Sequence, residues 1–486
     1  MQLRYHTRSL IAATSGFIAL CGTLFVPNAA KPHLNSALGI APAEAAAPDL
    51  GKAVLGQALF FDTRLSQPTG MSCATCHSPD AGFTSPNAEV NRKLGPVAGI
   101  VPGRFGFRKP PTVAYAAFIP VGPPHYDPAV SAFVGGQFWD GRAPDLAAQA
   151  TMPFQNPNEM NNFLHGVGNP NQVVSQVAKG PYARLFQAVY GPHIFEQPAQ
   201  AFQDIAEAIA AYEKSPVVSP FDSKYDYWRK GQAQLSPDEL DGLRLVTGSW
   251  SGRPGGTPYY KIIGGQKVLR NAQCVLCHGI PADPKTGPDL WTNTCYANIG
   301  VPKNAANPYY TETDAKSNPY GYNSLGKDFI DIGLGDFLYP QMGLPSGNAG
   351  PGSDGNGDFL QINGTFKAPT LRNVAQVPDP GFTKCYMHNG VFKSLKQVVH
   401  FYNTRNLTTY PGEVIDFTQD DPYQALKGKP LWPSPEYLST DTLQNPQGLP
   451  GSPAGQVGNL GLTDAEEDHI VAFLKTLTDG YYPGRW

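Results

Sequence analysis

The chain is poor in charge. Only 15% of its 486 residues are Asp, Glu, Lys or Arg, and Lys+Arg 36 against Asp+Glu 39 gives a formal net charge of -3. Nothing in that balance points to nucleic acid or to an anionic membrane surface as partner. Cysteine is scarce, 7 in all, too few for a disulfide-built scaffold of this length. No strand-rich region of alternating apolar and polar residues stands out. Long apolar runs are missing except for one near the N-terminus. What the chain has in plenty is Gly 52 and Pro 48, against roughly 12% for the two together in ordinary proteins. With 41% hydrophobic residues, it reads as a compact, loop-rich protein of two to three domains.

The one long apolar run covers residues 10–26, carries no charge and follows Arg4 and Arg8. Small residues occupy Ala41 to Ala47, and Ala43-Glu44-Ala45 offers a cleavage pattern. Residues 1–47 are therefore expected to be a cleaved export signal. The alternatives are an earlier cut after Ala30 and an uncleaved anchor, for which the run is slightly short. Cys21 is a poor lipidation site, because Leu20 stands where a small residue is needed.

Four of the remaining cysteines repeat one pattern, Cys73-Ala74-Thr75-Cys76-His77 and Cys274-Val275-Leu276-Cys277-His278. Two thiols at this spacing each add to one vinyl group of a haem, and the adjoining histidine reaches the iron. A zinc site would need further Cys or His at ligand spacing, and neither motif has them. Two covalently bound c-type haems are expected, held by Cys73, Cys76 and His77 and by Cys274, Cys277 and His278. Thioether attachment is done outside the bacterial cytoplasm, which agrees with export to the periplasm. Cys295 and Cys385 are left as an even pair in an oxidising compartment, and a disulfide between them is expected, two buried thiols being the alternative.

Helical periodicity places a first helix at residues 50–61, with Leu50, Val54, Ala58 and Phe61 on one face. A short helix follows at 144–150. The helix at 202–214 buries Phe202, Ile205, Ile209 and Tyr212, and Ser215-Pro216 stops it. The domain boundary is drawn there, giving 48–215 and 216–486. The second half opens with a helix at 235–246, marked by a Ser236/Glu239 capping box and Pro237. Residues 247–266 read as an inserted loop and 280–365 as long loops. A helix at 394–402 points Tyr402 inward with Leu395, Val398 and Val399, and loop follows over 405–460. The last helix, 464–477, is capped by Thr463 and Glu466 and buries Ile470, Phe473, Leu474 and Leu477. Asp354, Asn356 and Asp358 alternate as in a calcium loop. Phe359 and Thr365 stand where an EF-hand needs glycine and glutamate, so that reading is set aside. Each half thus repeats helix, haem motif, loops and closing helix: a mainly α chain with long loops.

Further motifs accompany the haem pairs: Leu59-Phe60-Phe61-Asp62, Phe138-Trp139-Asp140-Gly141-Arg142, Asn298-Ile299-Gly300-Val301-Pro302, Lys367-Ala368-Pro369-Thr370-Leu371-Arg372-Asn373 and Tyr386-Met387-His388-Asn389-Gly390. On these the chain resembles the bacterial di-haem cytochrome c peroxidases, including their MauG branch, over most of residues 49–480. The resemblance implies two cytochrome c-like domains, each carrying one covalent haem, and often a homodimer. It implies hydrogen peroxide as oxidant. The electrons would come from a small cytochrome c or cupredoxin, or from an amino acid of a protein substrate. A pure electron-transfer cytochrome is the reading from another class.

The resemblance also assigns residues. Glu159, ten residues after Gln149 with Pro153 between, matches the family's acid/base glutamate over the peroxide face. His77 would be the proximal ligand of that haem. Classical members place a histidine ligand shortly before Lys109-Pro110-Pro111-Thr112, but residues 78–108 hold no histidine or methionine. An open first haem is expected, with His125 the one nearby challenger. Tyr402, fourteen residues after His388, takes the second haem's distal position, where classical members have methionine and the MauG branch tyrosine. Met387 competes with it. Trp139 would stand between the haems, and His388 would support the second without ligating it. Calcium between the haems is doubtful, since Lys109 and Cys385 replace two of its ligand positions and only Thr383 is kept. Ala272 replaces the MauG branch's surface tryptophan two residues before the second motif, so that branch's role in maturing methylamine dehydrogenase is not expected.

Overall fold

A computed structural model describes residues 47–483 apart from 129–131, 249–253, 281–286, 317, 320, 322, 343–361, 408–413, 416–422, 425–431 and 438–456. The export signal, Cys21 and the calcium-like stretch at 354–359 lie outside the described residues. Twelve α-helices are described: α1 Ala47–Phe60, α2 Cys73–Cys76, α3 Ala88–Lys93, α4 Leu146–Gln155, α5 Pro170–Ala178, α6 Ala183–Tyr190, α7 Pro198–Glu213, α8 Lys224–Arg229, α9 Pro237–Thr247, α10 Leu334–Gln341, α11 Leu395–Thr404 and α12 Asp464–Lys475. Strands among the described residues make only two-stranded antiparallel ladders.

Two large apolar clusters make most of the core among the described residues, with two smaller ones around Phe392 and Tyr296. The first is built from α1, α5, α6 and α7, with Leu55, Leu59, Val173, Val177, Phe186, Ile205, Ile209 and Tyr212 all buried. The second is built from α9, α11 and α12, with Leu243, Val246, Leu395, Val399, Ile470, Phe473, Leu474 and Trp291. Each large cluster turns on the same contact. Gly56 of α1 lies so close to α7 that a Cβ there would fall 1.8 Å from the Ala208 carbonyl oxygen. Gly242 of α9 lies as close to α12, 1.9 Å from the His469 carbonyl oxygen. Without a side chain at the crossing, the two backbones pack directly.

The expected caps form. The Ser236 hydroxyl accepts the Glu239 N–H at 3.2 Å while the Glu239 carboxylate accepts the Ser236 N–H at 2.7 Å. Thr463 and Glu466 repeat this reciprocal pair.

Four expectations need correction. On α1 the buried face carries Leu55, Leu59 and Phe60, while Leu50 is 60% and Val54 40% exposed. The helix turns its glycine edge to α7, and a glycine adds nothing to an apolar stripe. The helix placed at 144–150 begins at Leu146 and runs on to Gln155 through Pro153. A proline this near a C-terminus removes only one helical bond. Helices α5 and α6 occupy residues left unassigned by periodicity, and α10 lies in the stretch read as loop. The loop at 247–266 contains a strand, Tyr260–Ile263, hairpinned to Gln266–Leu269.

Candidate active site

The two haem motifs open into two cavities. The first, with about 1820 Å³ of empty space partly open to solvent, is lined by Cys73, Cys76 and His77. Gln149, Pro153 and Glu159 line it as well, as do Trp139, Arg142, Lys109 and Glu213. The second, about 1470 Å³, is lined by Cys274, Cys277, His278, Tyr402, Met387, His388 and Trp139. Trp139 belongs to both.

Local structure fixes each side chain. The Ser72 hydroxyl and Thr75 cap α2 reciprocally, so Cys73 and Cys76 sit one turn apart on one side. The His77 ring Nδ1 lies 3.2 Å from the Phe83 carbonyl oxygen, and the His278 Nδ1 3.0 Å from that of Pro369. A carbonyl held by Nδ1–H fixes the tautomer and leaves Nε2 free for a metal. Burial pushes both imidazoles down to about 4, so both are neutral. These residues fit a covalently attached haem in each cavity.

Glu159 is carried by the turn after α4. The Asn156 Oδ1 accepts the Asn158 N–H at 2.9 Å, and the Met160 and Asn161 N–H groups return to the Pro153 and Asn156 carbonyls. Burial raises the Glu159 carboxyl above its ordinary range, with Arg142 and an Asn156 hydrogen bond opposing.

Trp139 is pinned from both halves of the chain. Its Nε1–H donates to the Lys109 carbonyl at 2.9 Å, and its own carbonyl accepts the Lys367 N–H at 3.0 Å. The next residue, Asp140, takes Arg108 at 2.6 Å and Arg142 at 2.8 Å, and Arg108 forks onto Asp331 at 2.7 Å. The Lys109 ammonium stands 5.6 Å from the Trp139 ring centroid.

At the second cavity the Tyr402 hydroxyl has no hydrogen-bond partner among the described residues, and burial raises its pKa. Met387 lines the same cavity with a left-handed φ of 67°. The His388 ring stacks on Phe366 with centroids 3.6 Å apart, and its buried Nε2 has no partner among the described residues. His125 is exposed, bonds the Pro123 carbonyl and lines neither cavity. Ala272 is 3% exposed and lines the second cavity.

The expected disulfide does not form. Cys295 and Cys385 are both free thiols. Cys295 lies against Cys277, while the Cys385 Sγ faces the Asn91 Oδ1 at 3.4 Å and the Gly95 carbonyl at 3.8 Å. The two thiols have different neighbours, so an even count was not a pairing.

Several site residues escaped the sequence reading. Arg108 and Asp331 are 223 positions apart. Glu436 and Asp331 line the second cavity, where burial raises Glu436 to about 7. The Lys384 ammonium is held by the carbonyls of Ala81, Asn373 and Gln376 at 2.9–3.0 Å. None of these pairs leaves a local spacing to find.

Residues 51–234 match the model of the family described as di-haem cytochrome c peroxidase. The methylamine utilization protein MauG of Paracoccus denitrificans is 34% identical over 442 residues, 90% of this chain and 92% of that protein. The chain belongs to the di-haem cytochrome c peroxidase family. This di-haem peroxidase is also 28% identical to the cytochrome c551 peroxidase of Nitrosomonas europaea, over 74% of this chain and 75% of that one. Its fold matches the crystal structure of the diheme peroxidase BthA from Burkholderia thailandensis with a TM-score of 0.60 and 29% identity, covering 89% and 87% of the two chains. It is thus an oxidoreductase acting on peroxide, and membership implies two c-type haems.

Proposed function

We propose that the protein is a periplasmic di-haem peroxidase that reduces hydrogen peroxide to water with electrons from a small redox protein. The two large core clusters are read as two cytochrome c-like domains meeting near residue 215. Cys73, Cys76 and His77 hold one haem, Cys274, Cys277 and His278 the other. When bound, the haems supply iron that takes up the two oxidising equivalents of peroxide.

The observation that carries the reading is the asymmetry of the two cavities. In the first, His77 shares the cavity with Glu159, Gln149 and Pro153; residues 78–108 hold no histidine or methionine, and the methionines on its wall are Met71 and Met160, both packed into the first core cluster. In the second, Tyr402 and Met387 line the cavity together with His278, and either would offer the iron a further ligand. Glu159 takes the proton from one peroxide oxygen and returns it to the other, the role of a positioned acid/base group. Arg142 opposes the rise that burial imposes on that carboxyl. Trp139, lining both cavities, is the relay between them. Lys109 and Lys384 bring buried ammonium groups to the seam where the family places calcium, so no calcium is assigned.

A second reading is favoured by Tyr402 and by the likeness to MauG: peroxide used to oxidise side chains of a partner protein. Buried Ala272 leaves no surface tryptophan at that position for such a task.

The test is a titration of the ferric protein with hydrogen peroxide, followed by absorption and EPR. The reading expects one high-spin and one low-spin centre before peroxide and a rapid change at the high-spin centre. Two six-coordinate centres and no response would leave an electron-transfer cytochrome.

A further inference from the structure

Tyr260–Ile263 and Gln266–Leu269 form a hairpin turned at Gly264 and Gly265. The glycines have φ of 56° and 78°, the geometry of a tight two-residue turn. A Cβ on either would meet nothing within 4 Å, so the tip stands clear of the protein. Its apolar side chains stand clear as well: Tyr260 is 40%, Ile262 67%, Ile263 48% and Leu269 40% exposed. Among the described residues no third strand covers either edge. Two strands alone are marginal in water, and apolar side chains gathered in the open mark a contact surface.

The hairpin has a position and a charge. Its second strand leads directly to Cys274, and Leu276, between the two anchoring cysteines, is 56% exposed while also lining the second cavity. Lys261 and Lys267 lie on the hairpin, with the Lys267 ammonium 4.3 Å from the Tyr260 ring centroid. Neither lysine has an acidic partner among the described residues, whereas the nearby Arg270 is neutralised by Glu466 at 2.8 Å. An apolar tip flanked by uncompensated positive charge suits an acidic surface with an apolar centre. Two lysines at about 1 kcal/mol each hold a protein weakly on anionic lipid, and a membrane would cover the Leu276 edge that an electron partner must reach.

We propose that this hairpin is the docking surface for a small acidic redox protein that delivers electrons at the second cavity. The proposal rests on the peroxidase reading above. Each encounter oxidises the donor metal by one electron. Two encounters and two protons complete the reduction of one hydrogen peroxide to two waters.

The test uses the protein with both haems and a cupredoxin of strongly negative net charge as probe. The pairs Lys261→Glu with Lys267→Glu, and Ile262→Ser with Ile263→Ser, are compared with the wild type. Calorimetry with the oxidised cupredoxin at low salt should show binding weakened at least tenfold in each pair. The rate at which peroxide and enzyme oxidise the reduced cupredoxin should fall equally, and lose its salt dependence in the lysine pair. Turnover of peroxide with hydroquinone should be unchanged, showing intact sites. Unaltered binding in both pairs overturns the proposal, as does a wild-type preference for a basic cytochrome c. Hairpin-dependent sedimentation with phosphatidylglycerol vesicles, without cupredoxin binding, assigns the surface to lipid and overturns it too. Failure of hydroquinone turnover in the wild type would instead remove the peroxidase reading, with calorimetry still deciding the surface.

Discussion

A carboxylate that moves a proton between two peroxide oxygens must start ionised, and burial works against this at Glu159. Its pKa is raised, so the ionised fraction falls as pH drops through a value above the ordinary carboxylate range. The rate of the peroxide reaction should therefore show an acid limb with its midpoint above the ordinary carboxylate range. Glu159→Gln should slow the reaction by about 10²- to 10⁴-fold, abolish that limb and leave the resting spectrum alone. Stopped-flow absorption across pH measures all three, and an unchanged rate removes Glu159 from the mechanism. At the second cavity, Tyr402→Phe should alter the low-spin EPR signal while Met387→Leu leaves it intact. The reverse pattern would hand the iron to Met387. Glu159, Tyr402 and the paired cysteines were named from the sequence because each sits at a fixed distance from a motif, and the structure puts all of them on the walls of the two cavities. Glu436 and the Arg108–Asp331 pair could not be, because their partners come from remote parts of the chain, and Lys384 could not be because its partners are backbone carbonyls, which carry no residue-type signal.

Among the elements, the caps were legible and the crossings were not. Ser236/Glu239 and Thr463/Glu466 announce a helix start by residue type at fixed offset. The contacts of α1 with α7 and of α9 with α12 depend on Gly56 and Gly242, which carry no hydrophobic signal. This is why half of the stripe expected on α1, Leu50 and Val54, is exposed, while Ala58 and Phe61 do pack against the core. The repeated crossing makes a sharp prediction. Gly56→Ala would drive a methyl into the Ala208 carbonyl, and Gly242→Ala into that of His469. Backbone cannot yield as a side chain does, so each should cost about 1–3 kcal/mol or more. α7 supplies Ile209 to the first cavity, and α12 supplies Ile470 and Leu474 to the second. Gly56→Ala should therefore disturb the first haem's spectrum and Gly242→Ala the second's. Gly51→Ala is the control. Its Cβ would make an ordinary 3.4 Å contact with Val189, and relief of backbone freedom in the unfolded chain should stabilise by about 0.4–1 kcal/mol. Urea unfolding of the three variants separates close packing from helix propensity. Equal effects at 51 and 56 would show that the crossing is looser than described.

Across the whole molecule, buried charges come with partners. Arg108 is shared by Asp140 and Asp331, Arg372 is forked onto Asp226, and Lys384 sits among three carbonyls. Breaking such pairs on one side is costly, because the remaining charge stays buried. Glu213 differs. It ends α7 at the wall of the first cavity, is 3% exposed, and its Oε2 has no hydrogen-bond partner among the described residues. Burial pushes its carboxyl from 4.5 up to about 8, with Lys214 opposing only weakly. The folded protein therefore keeps a proton that the unfolded chain releases near pH 4.5. By linkage, the stability that Glu213 contributes is complete below the unfolded value and is lost as pH rises through the folded one. The wild type should lose stability between about pH 4.5 and 8 on this account. Glu213→Gln keeps a neutral side chain of the same size and has no proton to lose. The difference in unfolding free energy, variant minus wild type, should grow steadily across that interval and level off above it. Urea unfolding at several pH values, followed by far-ultraviolet circular dichroism, measures the difference. A constant offset would mean that Glu213 ionises as an ordinary carboxylate, and that its cavity wall is wetter than its burial implies.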